Sequence, residues 1–548
     1  MITFISYLKI TVLWSNYQLE KGLDLEYLQK FFRLFKIRQP VTIILACIAG
    51  LMSAACSQNS SHPNIVLIFA DDLGYCDSEL YGCNTVPTPN IKRLATEGAL
   101  FTSGYVTSPV CSPSRASMLT GRYQQRFGHE FLPEGDPSGD AGLPVSEKTI
   151  ANYLKMSGYT TGMTGKWHLG DNEEFHPLNR GFDEWFGIIT AATDYADPTR
   201  TDVKSFDFQN YIAKKALEKK IPTSELSEMT SNQIINTLKE QGLDDMANWL
   251  NSSSSDSTWK GRGAGSVFKG RQIVNEPDYL TDAFSREAVA FIRRYKDTPF
   301  FLYIPYTATH GPLQVTQKYY DRFPYIGNEQ KRIYAAMTAS LDDGIGSILD
   351  ALAETGLEEN TLVIFLSDNG AGVADYASNA PLRLGKHTLF EGGVRVPFTI
   401  KWPKQISKGK VYHNPVSSLD ILPTVIAAAG GKIPSEASIE GVDLLPYLDG
   451  SINLTPHNKL YWRNGANWAI REGDWKLIYA GERYWLYDLS DDIGEIHNLA
   501  NERSDIVTRM TDLYRLWDQE NIPPAWPAVG SKKADYYFVD GIEIDWAL

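Results

Sequence analysis

Two apolar runs in this chain end in the same way. The run Asn64-Ile65-Val66-Leu67-Ile68-Phe69-Ala70 delivers Asp71 and Asp72, and Thr361-Leu362-Val363-Ile364-Phe365-Leu366 delivers Ser367, Asp368, Asn369 and Gly370. Apolar runs without alternation mark strands buried on both faces, which in practice means a largely parallel sheet covered by helices. Helical periodicity at 89–97, 111–121, 147–157, 281–296 and 329–356 takes turns with strand pattern at 159–164, 299–305 and 361–367. Within 329–356, Ile333, Met337, Leu341, Ile345, Ile348 and Leu352 step by three and four into one stripe. The fold class is therefore α/β, with a doubly wound sheet between helices. Ligands of such sheets sit beyond the carboxyl ends of the strands. Alone, each acidic pair would suit a capped loop or an Asp-Asn-Gly turn; together they form a hard oxygen cluster that suits Ca²⁺, or Mg²⁺ after it, rather than zinc.

At 548 residues the chain exceeds one small core, and the pattern divides it. Residues 62–416 read as the large α/β domain that carries the acidic cluster, with an insertion at about 199–270. From 417 to 548 a helix at 418–429, short strands within 467–479 and 484–488, a helix at 502–520 and an aromatic tail describe a smaller α+β subdomain with an antiparallel sheet. Lys plus Arg 52 against Asp plus Glu 66 gives a net charge of −14, which speaks against a general nucleic-acid binder. An anionic substrate would need positive charge gathered in one pocket. The insertion holds Lys214, Lys215, Lys219, Lys220, Trp249 and Trp259; it reads as a solvated helical face, the alternative being a wall of a saccharide cleft.

Residues 1–56 form an N-terminal extension. Lys30, Arg33, Lys36 and Arg38 precede the apolar run 41–52 and the small residues Ser53-Ala54-Ala55-Cys56, the build of an export signal. Cys56, followed by the polar tether Ser57-Gln58-Asn59-Ser60-Ser61, fits a bacterial lipoprotein acceptor, although Ser53 stands where a larger aliphatic residue is usual; cleavage after Ala55 is the alternative. The expected location is the periplasm or the cell surface, with Cys56 lipidated. Translation is expected to begin near the basic flank, at a non-AUG codon, because no Met lies between Met1 and Met52. Of the other cysteines, Cys76 and Cys83 read either as a short-loop disulfide or as two thiols.

Cys111 opens the stretch Cys111-Ser112-Pro113-Ser114-Arg115-Ala116-Ser117-Met118-Leu119-Thr120-Gly121-Arg122, at the positive end of an expected helix. That stretch resembles the type I sulfatase signature, and Gly165-Lys166-Trp167-His168-Leu169-Gly170 resembles the second signature of the same family. His310 in Ala308-Thr309-His310-Gly311-Pro312 and Lys386 in Gly385-Lys386-His387 follow in family order, so the resemblance spans about Asn64 to Pro397.

The resemblance implies an alkaline-phosphatase-like fold and hydrolysis of sulfate monoesters, here on a sulfated saccharide partner. It implies conversion of Cys111 to formylglycine (3-oxoalanine) by a formylglycine-generating enzyme. It further implies Ca²⁺ held by Asp71, Asp72, Asp368 and Asn369, with residue 111 as a further ligand. Arg115, Lys166 and Lys386 would take the sulfonate oxygens, His310 with Lys386 would protonate the leaving oxygen, and His168 would take the proton that lets sulfate depart. Either histidine alone would also suit a satisfied core position. His129 reads as a lesser substrate contact and Arg395 as a structural partner. The rival readings are a phosphate or phosphonate monoester hydrolase of the same superfamily and a non-catalytic glycan-binding lipoprotein.

Overall fold

The computed structural model describes residues 62–547 except 137, 198–199, 207–230, 242, 244–265, 373–375, 529–530 and 533–537. Cys56, the export signal, Lys214, Lys215, Lys219, Lys220, Trp249 and Trp259 lie outside the described residues. The main sheet has ten strands: β1 (Asn64–Ala70), β2 (Ala99–Phe101), β3 (Thr160–Lys166), β4 (Glu184–Ile188), β5 (Val267–Lys269), β6 (Gln272–Val274), β7 (Phe300–Pro305), β8 (Thr361–Ser367), β9 (Phe398–Lys401) and β10 (Lys410–Tyr412). Their spatial order is β10-β2-β9-β8-β1-β7-β3-β4-β5-β6. The centre is parallel, from β8 through β1, β7 and β3 to β4, while β9, β5 and β6 pair antiparallel.

The period-two geometry of β1 explains its all-apolar sequence, because each face meets a different core. Val66 and Ile68 pack with the helices Leu280–Arg294 and Glu329–Glu354 on one side. Ile65, Leu67 and Phe69 pack with the helices Cys111–Thr120, Ile150–Met156 and Ile421–Ala428 on the other. The last of these helices thus belongs to the large sheet's core, and the small sheet starts only at Lys459. The described ends of the insertion are woven into the fold: Val203–Phe206 pairs with Leu313–Thr316, and β5 joins the main sheet. Cys76 and Cys83 are bridged, which settles that alternative. Among the described residues no helix is long and apolar enough to cross a membrane.

The C-terminal sheet is an antiparallel meander of Lys459–Asn464, Asn467–Glu472, Trp475–Ala480 and Arg483–Asp488. The two-residue hairpin between its second and third strands needs a left-handed residue, which Gly473 supplies at φ 58°. One face packs Trp462, Ala469 and Ile478 on Leu389, Phe390 and Val394 of the large domain; the other carries the helix Ser504–Asp518. Lys476 crosses the first of these interfaces. Wholly buried, its Nζ lies 2.8 Å from Glu391 and 3.0 Å from Glu495. Burial opposes ionisation of Glu391, but the charges of Lys476, Arg395 and Arg471 hold its carboxyl at about 2. Replacing Lys476 by Met is expected to leave buried charge uncompensated and to cost about 3–5 kcal/mol, visible as a lowered thermal midpoint. An unchanged midpoint would show that the cluster does not hold the two parts together.

Candidate functional site

The strand ends converge. β1 delivers Asp71 and Asp72, β8 delivers Asp368 and Asn369, β3 ends in Lys166 and runs on to His168, and the segment after β7 carries His310. Gly165 permits the β3 approach, since a Cβ there would fall 1.9 Å from the Pro305 carbonyl oxygen of β7. Cys111 is the first residue of its helix, preceded by Val110 in extended conformation. The loop bearing Lys386 is tied to it, because His387 N–H donates to the Pro109 carbonyl at 2.9 Å. Asp72 and His168 are held at φ 62° and 60°, a left-handed conformation rare for non-glycine residues that clusters at functional sites.

The fixed charges interlock. Lys166 Nζ donates to Asp71 Oδ2 at 2.6 Å, and Arg115 Nε and Nη2 donate to Asp368 Oδ2 at 3.0 and 2.7 Å. Arg115 Nη1 also donates to the Lys166 carbonyl at 3.3 Å, which fixes the guanidinium between the two strand ends. Lys386 Nζ lies 2.7 and 2.8 Å from the Asp72 oxygens. Arg115, Lys166, Asp71 and Asp368 have no side-chain exposure, whereas Asp72 keeps 15% and His310 23%, so these two face the mouth. His310 Nδ1 donates to the Gly311 carbonyl at 2.6 Å, leaving Nε2 directed to the site, 3.8 Å from Asp72. Burial and the Lys386 charge push the His310 ring below the ordinary imidazole range.

The donor set fits a hard divalent cation. Ligand atoms of Asp71, Cys111 and Asp368 lie within 4.8 Å of one another, as do those of Asp71, Asp72 and His310. Asp71 Oδ1 and Asn369 Oδ1 are buried without a hydrogen-bond partner, and Asn369 Nδ2 donates to Asp72 Oδ1 at 2.7 Å, which turns its oxygen the other way. Against burial, Lys166, His310 and Arg115 hold the Asp71 carboxyl far below the usual range, while burial and the facing Asp71 charge push Asp368 up. Such crowding of oxygen atoms is relieved by a cation of their size.

Cys111 Sγ lies 3.4 Å from His168 Nδ1. Burial would raise the thiol, but Lys166, His168 and Lys386 outweigh it and bring it down to about 5. Burial would lower the His168 ring, yet the charges of Glu134 and Cys111 lift it to about 9. In the unconverted chain the two shifts support each other, and a thiol lowered in this way is reactive rather than inert. Among the described residues Cys111 is the free cysteine.

All the residues read from the motifs come together here: Asp71, Asp72, Cys111, Arg115, Lys166, His168, His310, Asp368, Asn369 and Lys386. His129 is fully buried and engaged by Ser112, whose Oγ lies 2.8 Å from its Nε2. Burial, then the His168 charge, pushes its ring down to about 3. Arg395 pairs with Glu391 at 3.1 Å, away from the site. Glu134 escaped the sequence reading, because it lies in a turn between Pro133 and Gly135 with no motif around it.

Residues 63–431 match the family described as Sulfatase, and residues 384–519 match the family described as N-sulphoglucosamine sulphohydrolase, C-terminal. The N-acetylgalactosamine-6-sulfatase of Rattus norvegicus is 34% identical over 443 residues, covering 78% of this chain and 72% of its own. Arylsulfatase H of Canis lupus familiaris is 33% identical over 461 residues, 78% of this chain and 80% of its own. The crystal structure of Ps i-CgsB, solved also in complex with k-i-k-neocarrahexaose, shares 33% identity at a TM-score of 0.70 and covers 85% of this chain and 95% of its own.

Proposed function

Because the chain belongs to the sulfatase family, we propose that it hydrolyses sulfate monoesters of a sulfated saccharide, with residue 111 as the nucleophile. Sulfate ester hydrolysis is the reaction of its named relatives. The saccharide part rests on the substrate class named for N-acetylgalactosamine-6-sulfatase and on the oligosaccharide bound by Ps i-CgsB. The observation that carries the proposal is Cys111 at a helix N-terminus, 3.4 Å from His168 and within the field of Lys166 and Lys386.

Conversion of Cys111 to formylglycine would supply a geminal diol in place of a thiol, which gives both an attacking oxygen and a second hydroxyl. Asp71, Asp72, Asp368, Asn369 and residue 111 would hold Ca²⁺, which when bound supplies electrostatic activation of an oxygen nucleophile. The chain's own groups do the rest. Lys166, Lys386 and Arg115 form a cationic lining that offsets the charge of a sulfonate. His310 Nε2 faces the mouth, where an arriving anion favours the protonated ring; that proton then goes to the leaving alcohol oxygen. His168 Nδ1 faces residue 111 and takes the hydroxyl proton whose loss releases sulfate. Burial of the innermost groups excludes bulk water and strengthens each interaction.

We read the chain as exported, with lipid attachment at Cys56, on the strength of its signal-like segment; the bridge Cys76–Cys83 accords with an oxidising compartment. The test of the proposed function is sulfate release by matured protein from sulfated oligosaccharides, neocarrahexaose among them, beside phosphate esters of the same alcohols. Faster release of sulfate is expected. Faster release of phosphate would move the reading to the phosphate or phosphonate hydrolases, and binding without turnover would move it to a glycan-binding lipoprotein.

A further inference from the structure

Glu134 lies on the far side of His168 from Cys111. It sits in the short helical turn Pro133–Gly135, and its carboxylate oxygens are 3.1 and 3.3 Å from His168 Nε2. The His168 side chain keeps 2% exposure and that of Glu134 keeps 14%, so the contact is shielded from solvent. On the other face of the ring, Nδ1 lies 3.4 Å from residue 111. The backbone at His168 is fixed as well, because its N–H donates to the Ile189 carbonyl at 3.0 Å and its carbonyl accepts the Ser112 hydroxyl at 2.7 Å. The ring is thus clamped at the backbone and at Nε2, with one nitrogen free to work. A carboxylate can only accept, so it selects the ring form with hydrogen on Nε2 and leaves the Nδ1 lone pair facing residue 111.

We propose that Glu134 is a positioning residue for the second half of the reaction: it holds His168 in the orientation and tautomer that let Nδ1 take the proton from the remaining hydroxyl of residue 111. In that step the O–H bond breaks and its proton goes to Nδ1. The O–H electron pair forms the carbonyl bond, and the bond from that carbon to the sulfate oxygen breaks with its pair on departing sulfate. Nothing is oxidised or reduced, and no co-reactant is required. The first half, attack and departure of the alcohol, does not use His168 Nδ1 in this way. Glu134 therefore separates the two halves. This assignment rests on the sulfatase reading above.

Two measurements test it. In matured protein, with rates normalised to the converted fraction at residue 111, Glu134→Gln is expected to lower steady-state kcat about tenfold or more, in the range of lost carboxylate support to a working histidine. The first-turnover rate of alcohol release is expected to stay near that of the unaltered enzyme. A burst of alcohol should result, and the peptide containing residue 111 should carry the added mass of one SO₃ group during turnover. Glu134→Asp, which keeps a carboxylate, should recover part of kcat. Equal loss in the first turnover and the steady state, or a kcat within twofold of the unaltered enzyme, would overturn the proposal.

The second measurement needs no turnover. In the full chain bearing Cys111→Ala, imidazole ¹⁵N spectra at a pH where the His168 ring is neutral should show hydrogen on Nε2. Adding Glu134→Gln, whose amide can donate as well as accept, should let the other tautomer appear. Spectra unaffected by Glu134 would overturn the positioning role even if the enzyme is an active sulfatase. Absent sulfate release by the unaltered enzyme would instead contradict the functional reading, while the spectra still decide the role of Glu134.

Discussion

Replacing Cys111 by Ala is expected to abolish sulfate release, with a loss of at least about ten-thousand-fold in kcat, the scale set by removing a covalent nucleophile. Stability should change little by comparison. Cys111 is small, so its loss leaves little empty volume, and the attraction of its thiolate to Lys166, His168 and Lys386 is absent in any case once the residue is converted. Serine at the same place is more informative than alanine. Its single hydroxyl can attack, but no second hydroxyl remains to expel sulfate, so Cys111→Ser should stop after one turnover and retain the sulfo group. Repeated turnover by Cys111→Ser, measured as more than one sulfate released per chain, would contradict a mechanism that depends on a diol.

The second large effect is expected at Arg115. Its guanidinium has no exposure, holds Asp368 through Nε and Nη2, lies 3.4 Å from Asp71 and rests 5.3 Å from the centre of the Phe69 ring. Arg115→Met keeps most of the volume but leaves two buried carboxylates short of a cation. That should cost about 3–5 kcal/mol in the metal-free chain. If Asp71, Asp72, Asp368 and Asn369 hold Ca²⁺, saturating Ca²⁺ should shrink this cost, because the metal binds the native arrangement and not the unfolded chain. Thermal melts of both proteins with chelator and with Ca²⁺ read the difference directly. Activity should fall by a factor of about a hundred or more even with Ca²⁺ present, since a donor to the developing charge is gone. A melting cost that does not respond to Ca²⁺ would count against the metal site.

The sheet and most of the site were legible because they rest on local pattern. The runs 64–70 and 361–367 show their burial in their own residues and carry their oxygen ligands in sequence, as do Cys111 with Arg115 and Lys166 with His168. What was not legible depends on distant pairing. β2, β5 and β6 are three-residue strands whose existence depends on neighbours far along the chain rather than on any periodicity of their own. The helix Ile421–Ala428 reads as the start of the smaller part, yet its apolar face closes the large core. Lys476 lies in a strand stretch with no neighbour in sequence that marks it, and its partners Glu391 and Glu495 are brought to it only by the fold. Glu134 is invisible for the same reason: its partner His168 lies 34 residues on, and nothing in Pro133-Glu134-Gly135 announces a role.

The most direct measurement is the mass of the tryptic peptide Leu94 to Arg115 from protein made alongside a formylglycine-generating enzyme. Conversion of the Cys111 thiol to an aldehyde should lower that mass by about 18 Da, a covalent change that the sequence itself does not display. Appearance of the shift together with sulfate release is the predicted result. Sulfate release by a chain whose Cys111 remains wholly a thiol would contradict the central claim.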